Sequence, residues 1–180
     1  GRQAAIDRCL AACSYVWPWP TCIAQYKFQG RTGWAGPFAG LLRSAPWVEL
    51  ALERCDLLLS MPLAPARLRE RGFNQSLELA RRMAPSKTHP TLLIRTRATL
   101  PQSGLTRAER LRNLRGALAV EPGLQHALCG RRVVLVDDVM TSGASIFAAA
   151  EALRRAGASH ITAIVLARTD NPAEGAPALA

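Results

Sequence analysis

Four short apolar runs stand out along the chain, none with the every-second-residue polarity of a strand that has one wet face. They are Leu57-Leu58-Leu59-Ser60-Met61, Thr91-Leu92-Leu93-Ile94, Val133-Val134-Leu135-Val136 and Ile161-Thr162-Ala163-Ile164-Val165-Leu166. Unalternated apolar runs of this length predict strands buried on both faces of a parallel sheet. Helical patterns lie between them. Asn74 to Met83 carries Leu77 and the residues from Ala80 to Ala84 on one side, with Asn74 read as the cap rather than as a substrate contact. Ser145 to Ala156 carries Ile146, Ala149, Ala150 and Leu153 before a stop at Gly157. Strand, helix, strand repeated predicts an α/β fold with right-handed crossovers.

The first third of the chain is less regular. Residues 9–16 read as a short strand or a helix start, and Trp17-Pro18-Trp19-Pro20 breaks any element there. Thr21 predicts the start of a short helix running through Phe28 and ended by Gly30. Phe38, Leu41, Leu42, Val48, Leu50 and Leu52 predict helix up to about Arg54, interrupted near Pro46. A chain of 180 residues suits one core. The expected organisation is a single domain over 1–180: a mainly helical N-terminal part at 1–56, an α/β core at 57–170 and a loose tail at 171–180.

Hydrophobic residues at 49% and charged residues at 20% exclude a disordered or collagen-like chain. No stretch approaches the roughly 20 apolar residues of a membrane span, and Gly1 to Asp7 lacks a signal peptide's pattern, so a cytoplasmic protein is expected. The net charge of +10 implies an anionic partner. Twelve basic residues against three acids between Arg67 and Arg115 concentrate most of that excess in one stretch. The five cysteines form no C-x-x-C pair and read as free thiols, and His89, His126 and His160 show no ligand spacing.

The strongest chemical signal follows the third apolar run: Asp137-Asp138-Val139-Met140-Thr141-Ser142-Gly143-Ala144-Ser145. A buried strand ending in two carboxylates, then small hydroxyl residues and a glycine leading into a helix, gathers backbone amides and the positive helix end around one pocket. Such a pocket beyond the carboxyl end of a sheet suits a sugar phosphate: the two Asp accept from hydroxyls, while Thr141, Ser142, Ser145 and the Gly143 amide hold the anion. The nucleotide-hydrolase alternative also requires G-x-x-x-x-G-K-[ST], and no Gly-Lys dipeptide occurs.

This segment resembles the phosphoribosyl pyrophosphate (PRPP) motif of the type I phosphoribosyltransferases. The chain is further similar to that family's ComF-like (GntX) branch in Met61 to Gln75, with its R-x-R-G-F-N-Q, in Tyr26-Lys27-Phe28-Gln29-Gly30, and in Arg97 to Leu118. In the last of these Leu118 stands where the pattern has Phe. The resemblance covers about residues 4–170. The chain starts downstream of where that branch's cysteine-rich zinc module would lie, so no metal binding is carried over from it.

The resemblance implies a type I phosphoribosyltransferase-like central parallel sheet flanked by helices, with a small hood. It implies that Asp137 and Asp138 contact the ribose hydroxyls and that Met140, Thr141, Ser142, Gly143, Ala144 and Ser145 cradle the 5′-phosphate. Pro62, Leu63, Ala64, Arg67 and Arg71 would bind pyrophosphate. Arg97 and Arg110 would join Asp137 and Asp138 as catalytic residues, within a hood loop that includes Thr99, Gln102 and Asn113. Thr106-Arg107-Ala108-Glu109 reads as a capping box that starts a short helix in this loop. Mg²⁺ would accompany PRPP without direct protein ligands. The expected reaction is phosphoribosyl transfer to an acceptor that the sequence leaves open, as it does the oligomeric state. The alternative is a non-catalytic PRPP- or nucleotide-binding protein, or an accessory to DNA uptake that meets single-stranded DNA or uptake proteins through its Arg-rich surface. In that stretch only Phe73 is aromatic, so such contact would be driven by phosphate.

Overall fold

A computed structural model describes residues 5–28, 30–97, 109, 113, 114 and 116–169. Its main sheet has four parallel strands in the order β1-β6-β5-β2: β1 (Arg8–Ser14), β2 (Leu57–Ser60), β5 (Arg132–Met140) and β6 (His160–Arg168). Three of the four apolar runs lie in this sheet. The fourth does not: β3 (Leu93–Arg95) pairs antiparallel with β4 (Leu118–Val120) in a separate two-stranded sheet. An apolar run records burial, and both locations are buried, so the pattern does not tell them apart. Among the described residues, the main sheet is extended beside β2 by a parallel bridge between Leu58 and Thr88.

β1 is the edge partner of β6, in register Arg8 with Thr162 through Ser14 with Arg168. The N-terminal part is therefore not only a helical layer. Its CLAACS sequence has low intrinsic strand preference, and pairing with the strongly apolar β6 overrides that.

Alternate residues of the strands feed two cores. Leu57, Leu59, Val133, Leu135, Ala163 and Val165 pack on one face with Ile146, Ala149 and Leu153 of α6 (Ala144–Arg155). Leu58, Val134, Val136, Ile164 and Leu166 face the other way, against α1 (Trp19–Phe28), α2 (Ala35–Ser44), α3 (Val48–Arg54) and α5 (Gln75–Met83). The break predicted near Pro46 separates α2 from α3.

This arrangement decides where a ligand can sit. After β2 the chain runs through α5, on one face, and out to Thr88 at the sheet edge. After β5 it runs through α6, on the opposite face, and back to β6. The two connections diverge, so the carboxyl ends of β2 and β5 border a crevice at a topological switch point.

Two local features adjust the sequence expectation. The Arg67–Arg71 stretch, to which the sequence pattern assigned no element, lies in α4 (Pro65–Arg71), with Pro65 opening the helix and Gly72, at φ 77°, closing it. And β5 does not stop at Val136. It continues to Met140, because Asp137, Val139 and Met140 still pair with Val165, Ala167 and Arg168.

Lys87, one of only two lysines, has a structural role. Its ammonium donates to the carbonyls of Leu52, Glu53 and Cys55 at 2.8, 2.8 and 2.9 Å, completing the C-terminal end of α3. Lys87→Met is expected to lower stability by about 1.5–3 kcal/mol, the worth of hydrogen bonds to a charged donor. A fall in the urea midpoint with unchanged slope checks it; an unmoved midpoint refutes it.

Candidate active site: an acidic pair ringed by cations

Asp137 and Asp138 lie near the carboxyl end of β5, and each carboxylate is anchored by a different helix. Ser76, in the first turn of α5, donates its hydroxyl to Asp137 Oδ1 at 3.0 Å, and the Asp138 amide donates to the same oxygen at 2.9 Å. Lys27, in the last turn of α1, places its Nζ 2.7 Å from Asp138 Oδ1, which also accepts from the Val139 amide. The other oxygen of Asp138, Oδ2, is buried and has no partner among the described residues.

The two helices are locked to each other by neighbours of these same residues. The buried Tyr26 hydroxyl donates to the Gln75 carbonyl at 2.9 Å, and burial holds that phenol far above its ordinary pKa. Asn74 caps α5 as expected: its side-chain oxygen accepts from the Ser76 and Leu77 amides while its amide nitrogen donates to Met61 O at 3.0 Å, tying the helix to the end of β2.

Burial, followed by the adjacent Asp138 charge, pushes Asp137 up to about 7 from 3.8, against the opposing pull of Lys27, the Asp138 amide and Ser76. Near neutral pH the pair therefore readily holds one proton.

The crevice beside the pair has ≈ 340 Å³ that water can enter. Pro62, Leu63 and Ala64 after β2 line one wall, as expected. Arg67 and Arg71 line it together, since a spacing of four on α4 puts them on one helix face, while Arg69 falls outside. Arg71 is fixed by a hydrogen bond to Gln75 Oε1 at 3.1 Å and lies 4.8 Å above the Phe28 ring. Arg95, at the end of β3, completes the group. Its Nε is buried without a partner among the described residues, and burial together with Arg67 and Arg97 lowers its pKa. Four cationic side chains thus surround two carboxylates, leaving the crevice positive.

A smaller recess adjoins it and shares Asp137, Thr141 and Ser145. It is walled by Met140 to Ile146 at the N-terminal end of α6, where the leading amides of a twelve-residue helix point outward. Gly143 makes the turn at φ 72°. A Cβ there would be strained by that φ and would meet Met140 Cε at 2.6 Å and the Phe147 ring at 3.0 Å, so a larger residue requires those side chains to shift.

The structure thus brings together Asp137, Asp138, Pro62 to Ala64, Arg67, Arg71 and the loop from Met140 to Ser145. It does not bring in Arg97, which is exposed, lies off the crevice wall and donates to the Asn113 carbonyl at 3.0 Å; Asn113 is likewise not among the lining residues. Arg95, two residues before Arg97, lines the crevice. Thr99, Gln102, Arg110 and the helix predicted from Thr106 fall outside the described residues. The site reading also lacked Lys27, Ser76 and Arg95. Lys27 had a signal, its place in Tyr26-Lys27-Phe28-Gln29-Gly30, but no assigned role.

The switch-point crevice, the acidic pair and the anion loop together define a phosphoribosyltransferase-type α/β domain, and comparison with known proteins agrees. The phosphoribosyl transferase domain model matches residues 75–179. The DNA utilization protein YhgH of Escherichia coli O6:H1 is 33% identical over 173 residues, covering 91% of this chain and 73% of that protein. Competence protein F of Haemophilus influenzae is 29% identical over 174 residues, covering 93% and 75%. Among solved structures, that of the allosteric regulatory enzyme of purine biosynthesis aligns at a TM-score of 0.44 and 17% identity, over 73% of this chain and 25% of that one. The chain belongs to the phosphoribosyl transferase domain family, in its ComF-like branch. No helix of the described residues is long and apolar enough to cross a membrane.

The raised pKa of Asp137 predicts a pH signature. A carboxyl with a raised folded-state value keeps its proton when folded but loses it when unfolded, so its stabilisation is present below 3.8 and lost as the pH climbs to about 7. The stability of the wild type relative to Asp137→Asn should fall between those limits by on the order of 2–4 kcal/mol. Urea unfolding at a series of pH values checks it, and a pH-independent difference refutes it.

Proposed function

We propose that this protein binds PRPP in the crevice and transfers its phosphoribosyl group to an acceptor, releasing pyrophosphate. The observation that carries the reading is the flanking of the Asp137–Asp138 pair by two different anion sites, a helix-terminus loop on one side and Arg67, Arg71 and Arg95 on the other. A ribose with a 5′-phosphate at one end and a pyrophosphate at the other has this charge pattern. The unpartnered Asp138 Oδ2 is a waiting acceptor for a ribose hydroxyl, and Asp137 accepts from the second hydroxyl in its ionised form. The Met140 to Ser145 loop holds the 5′-phosphate. The guanidiniums hold the leaving pyrophosphate and favour the charge that develops on it.

In the transfer, the bond between the anomeric carbon and the pyrophosphate oxygen breaks, with its electron pair leaving on pyrophosphate. The acceptor's nucleophilic atom forms the new bond and gives up its proton. Among the described residues no three His, Cys, Asp or Glu side chains form a metal-ligand set. The donors present fit Mg²⁺ in its usual manner beside phosphates, with the acidic pair at hand and most ligands from the substrate. When bound, the ion would neutralise pyrophosphate charge.

Calorimetric titration with PRPP and Mg²⁺ is expected to show binding by the wild type that weakens at least about tenfold, roughly 1.4 kcal/mol, in the Asp137→Asn/Asp138→Asn double variant and in Arg95→Gln. Pyrophosphate release in an acceptor screen should fall with it. A folded wild type that does not bind PRPP refutes the reading.

A second reading is favoured by the net charge of +10 and by relatives whose names refer to DNA utilization and competence: the Arg-rich surface contacts single-stranded DNA. Such binding should weaken at least about tenfold between roughly 50 and 200 mM salt and persist in the double variant. Absence of DNA binding at low salt removes it.

A further inference from the structure

The opposite end of the sheet carries a second cleft that the reaction proposed above does not use. It opens where β1, β6 and β5 begin, roughly 17 Å from the acidic pair at about 3.3 Å per strand residue. Arg8 opens β1, Arg132 opens β5 and Arg54 closes α3; Trp47, at the other end of α3, lies on the rim, and His160 and Thr162 of β6 form the floor. No carboxylate lines the cleft. Two acids adjoin the lining residues and already have partners: Asp7 pairs with Arg154 and with His160 of the floor, and Asp56 with Arg131 and the Arg132 amide. Among the described residues, none of the guanidiniums of Arg8, Arg54 and Arg132 has a hydrogen-bond or ion-pair partner. Three exposed guanidiniums from three elements line one cleft without a carboxylate among its walls, an arrangement that attracts an anion.

Trp47 supplies the second, independent observation. It is 65% exposed. It also sits at φ 70°, the one non-glycine residue with positive φ among those described. The Val48 amide donates to the Ala45 carbonyl at 3.2 Å, closing a turn with Pro46 and Trp47 at its centre. With proline first and positive φ second, this is the turn in which glycine is the unstrained choice at the second position. The chain instead carries its largest side chain there, at a cost of about 1–2 kcal/mol, and leaves the ring mostly in water. Core packing does not explain an exposed, strained indole, whereas a planar ligand stacked on it does.

We propose that this cleft is a second ligand site, taking a nucleoside monophosphate whose phosphate lies among Arg8, Arg54 and Arg132 and whose base stacks on Trp47. Guanidinium forks match phosphate oxygens, and any base offers a face to an indole. The site is independent of PRPP binding, so it stands or falls separately from the reaction assigned to the crevice.

The test is calorimetric titration of the full chain with AMP and with UMP, beside ribose 5-phosphate, which keeps the phosphate and lacks the ring, and adenosine, which does the reverse. The expected result is binding of a nucleotide at least tenfold tighter than either fragment, unchanged in the Asp137→Asn/Asp138→Asn variant. It should weaken at least tenfold in Arg8→Gln/Arg132→Gln. Trp47→Gly is the sharpest arm. It relieves the backbone strain, so its thermal midpoint should hold or rise while nucleotide affinity falls at least tenfold; a merely structural tryptophan would give the opposite pair of results. The proposal is overturned if neither nucleotide binds the folded wild type, if Trp47→Gly binds as well as wild type, or if binding disappears in the Asp137/Asp138 variant, which would put the nucleotide in the main crevice.

Discussion

Two adjacent carboxylates at the end of a sheet's buried central strand are the constraint around which this molecule is arranged. Burial disfavours their charge, and each makes the other's ionisation harder. The fold answers with a clamp made from two consecutive residues on each of two helices. Tyr26 and Lys27 of α1 meet Gln75 and Asp138, while Gln75 and Ser76 of α5 meet Tyr26 and Asp137. One helix therefore brings the counter-charge and the other the neutral donor, and the bond between Tyr26 and Gln75 keeps them in step. Without the N-terminal helix, Asp138 would be a buried carboxylate with no counter-charge, a more costly state than the pair as it stands. Residues before the first apolar strand are thus part of the site.

What could be read from the chain depended on whether a signal was local. The runs at Leu57, Val133 and Ile161 became sheet strands because nothing in the fold competes with burial on both faces. The run at Thr91 carries the same pattern and ended in a different sheet, since periodicity reports that a segment is buried and not against what. The helix α4 was invisible for the reverse reason. None of its seven residues is buried, so it has no apolar stripe, and its only marks are Pro65 at the start and Gly72 after the end. Recognising it changes the chemistry, because a helix places Arg67 and Arg71 on one face.

The site divides the same way. Asp137 to Ser145 is contiguous, so strand, acids, loop and helix start could be seen together. Lys27, Ser76 and Arg95 reach the acidic pair from three distant segments, and only the folded sheet makes them neighbours. Arg95 and Arg97 illustrate the limit: both are arginines beside the same loop, yet one ends buried against the crevice and the other is exposed and bonded to Asn113.

The proton on the acidic pair and the orphaned oxygen beside it belong to one balance. In the free protein, Lys27 neutralises one carboxylate and a proton readily neutralises the other, leaving Asp138 Oδ2 without a donor. A ligand bringing two hydroxyls fills that vacancy without displacing Lys27, because the lysine occupies the other oxygen. Hydroxyl donors also stabilise the ionised form of Asp137, so binding and loss of its proton reinforce each other. Arg95 completes the balance from the opposite wall: its buried, unpartnered Nε is a donor left without its acceptor, as Asp138 Oδ2 is an acceptor left without its donor. A molecule with hydroxyls on one side and anionic oxygens on the other carries the partner that each of these two atoms lacks.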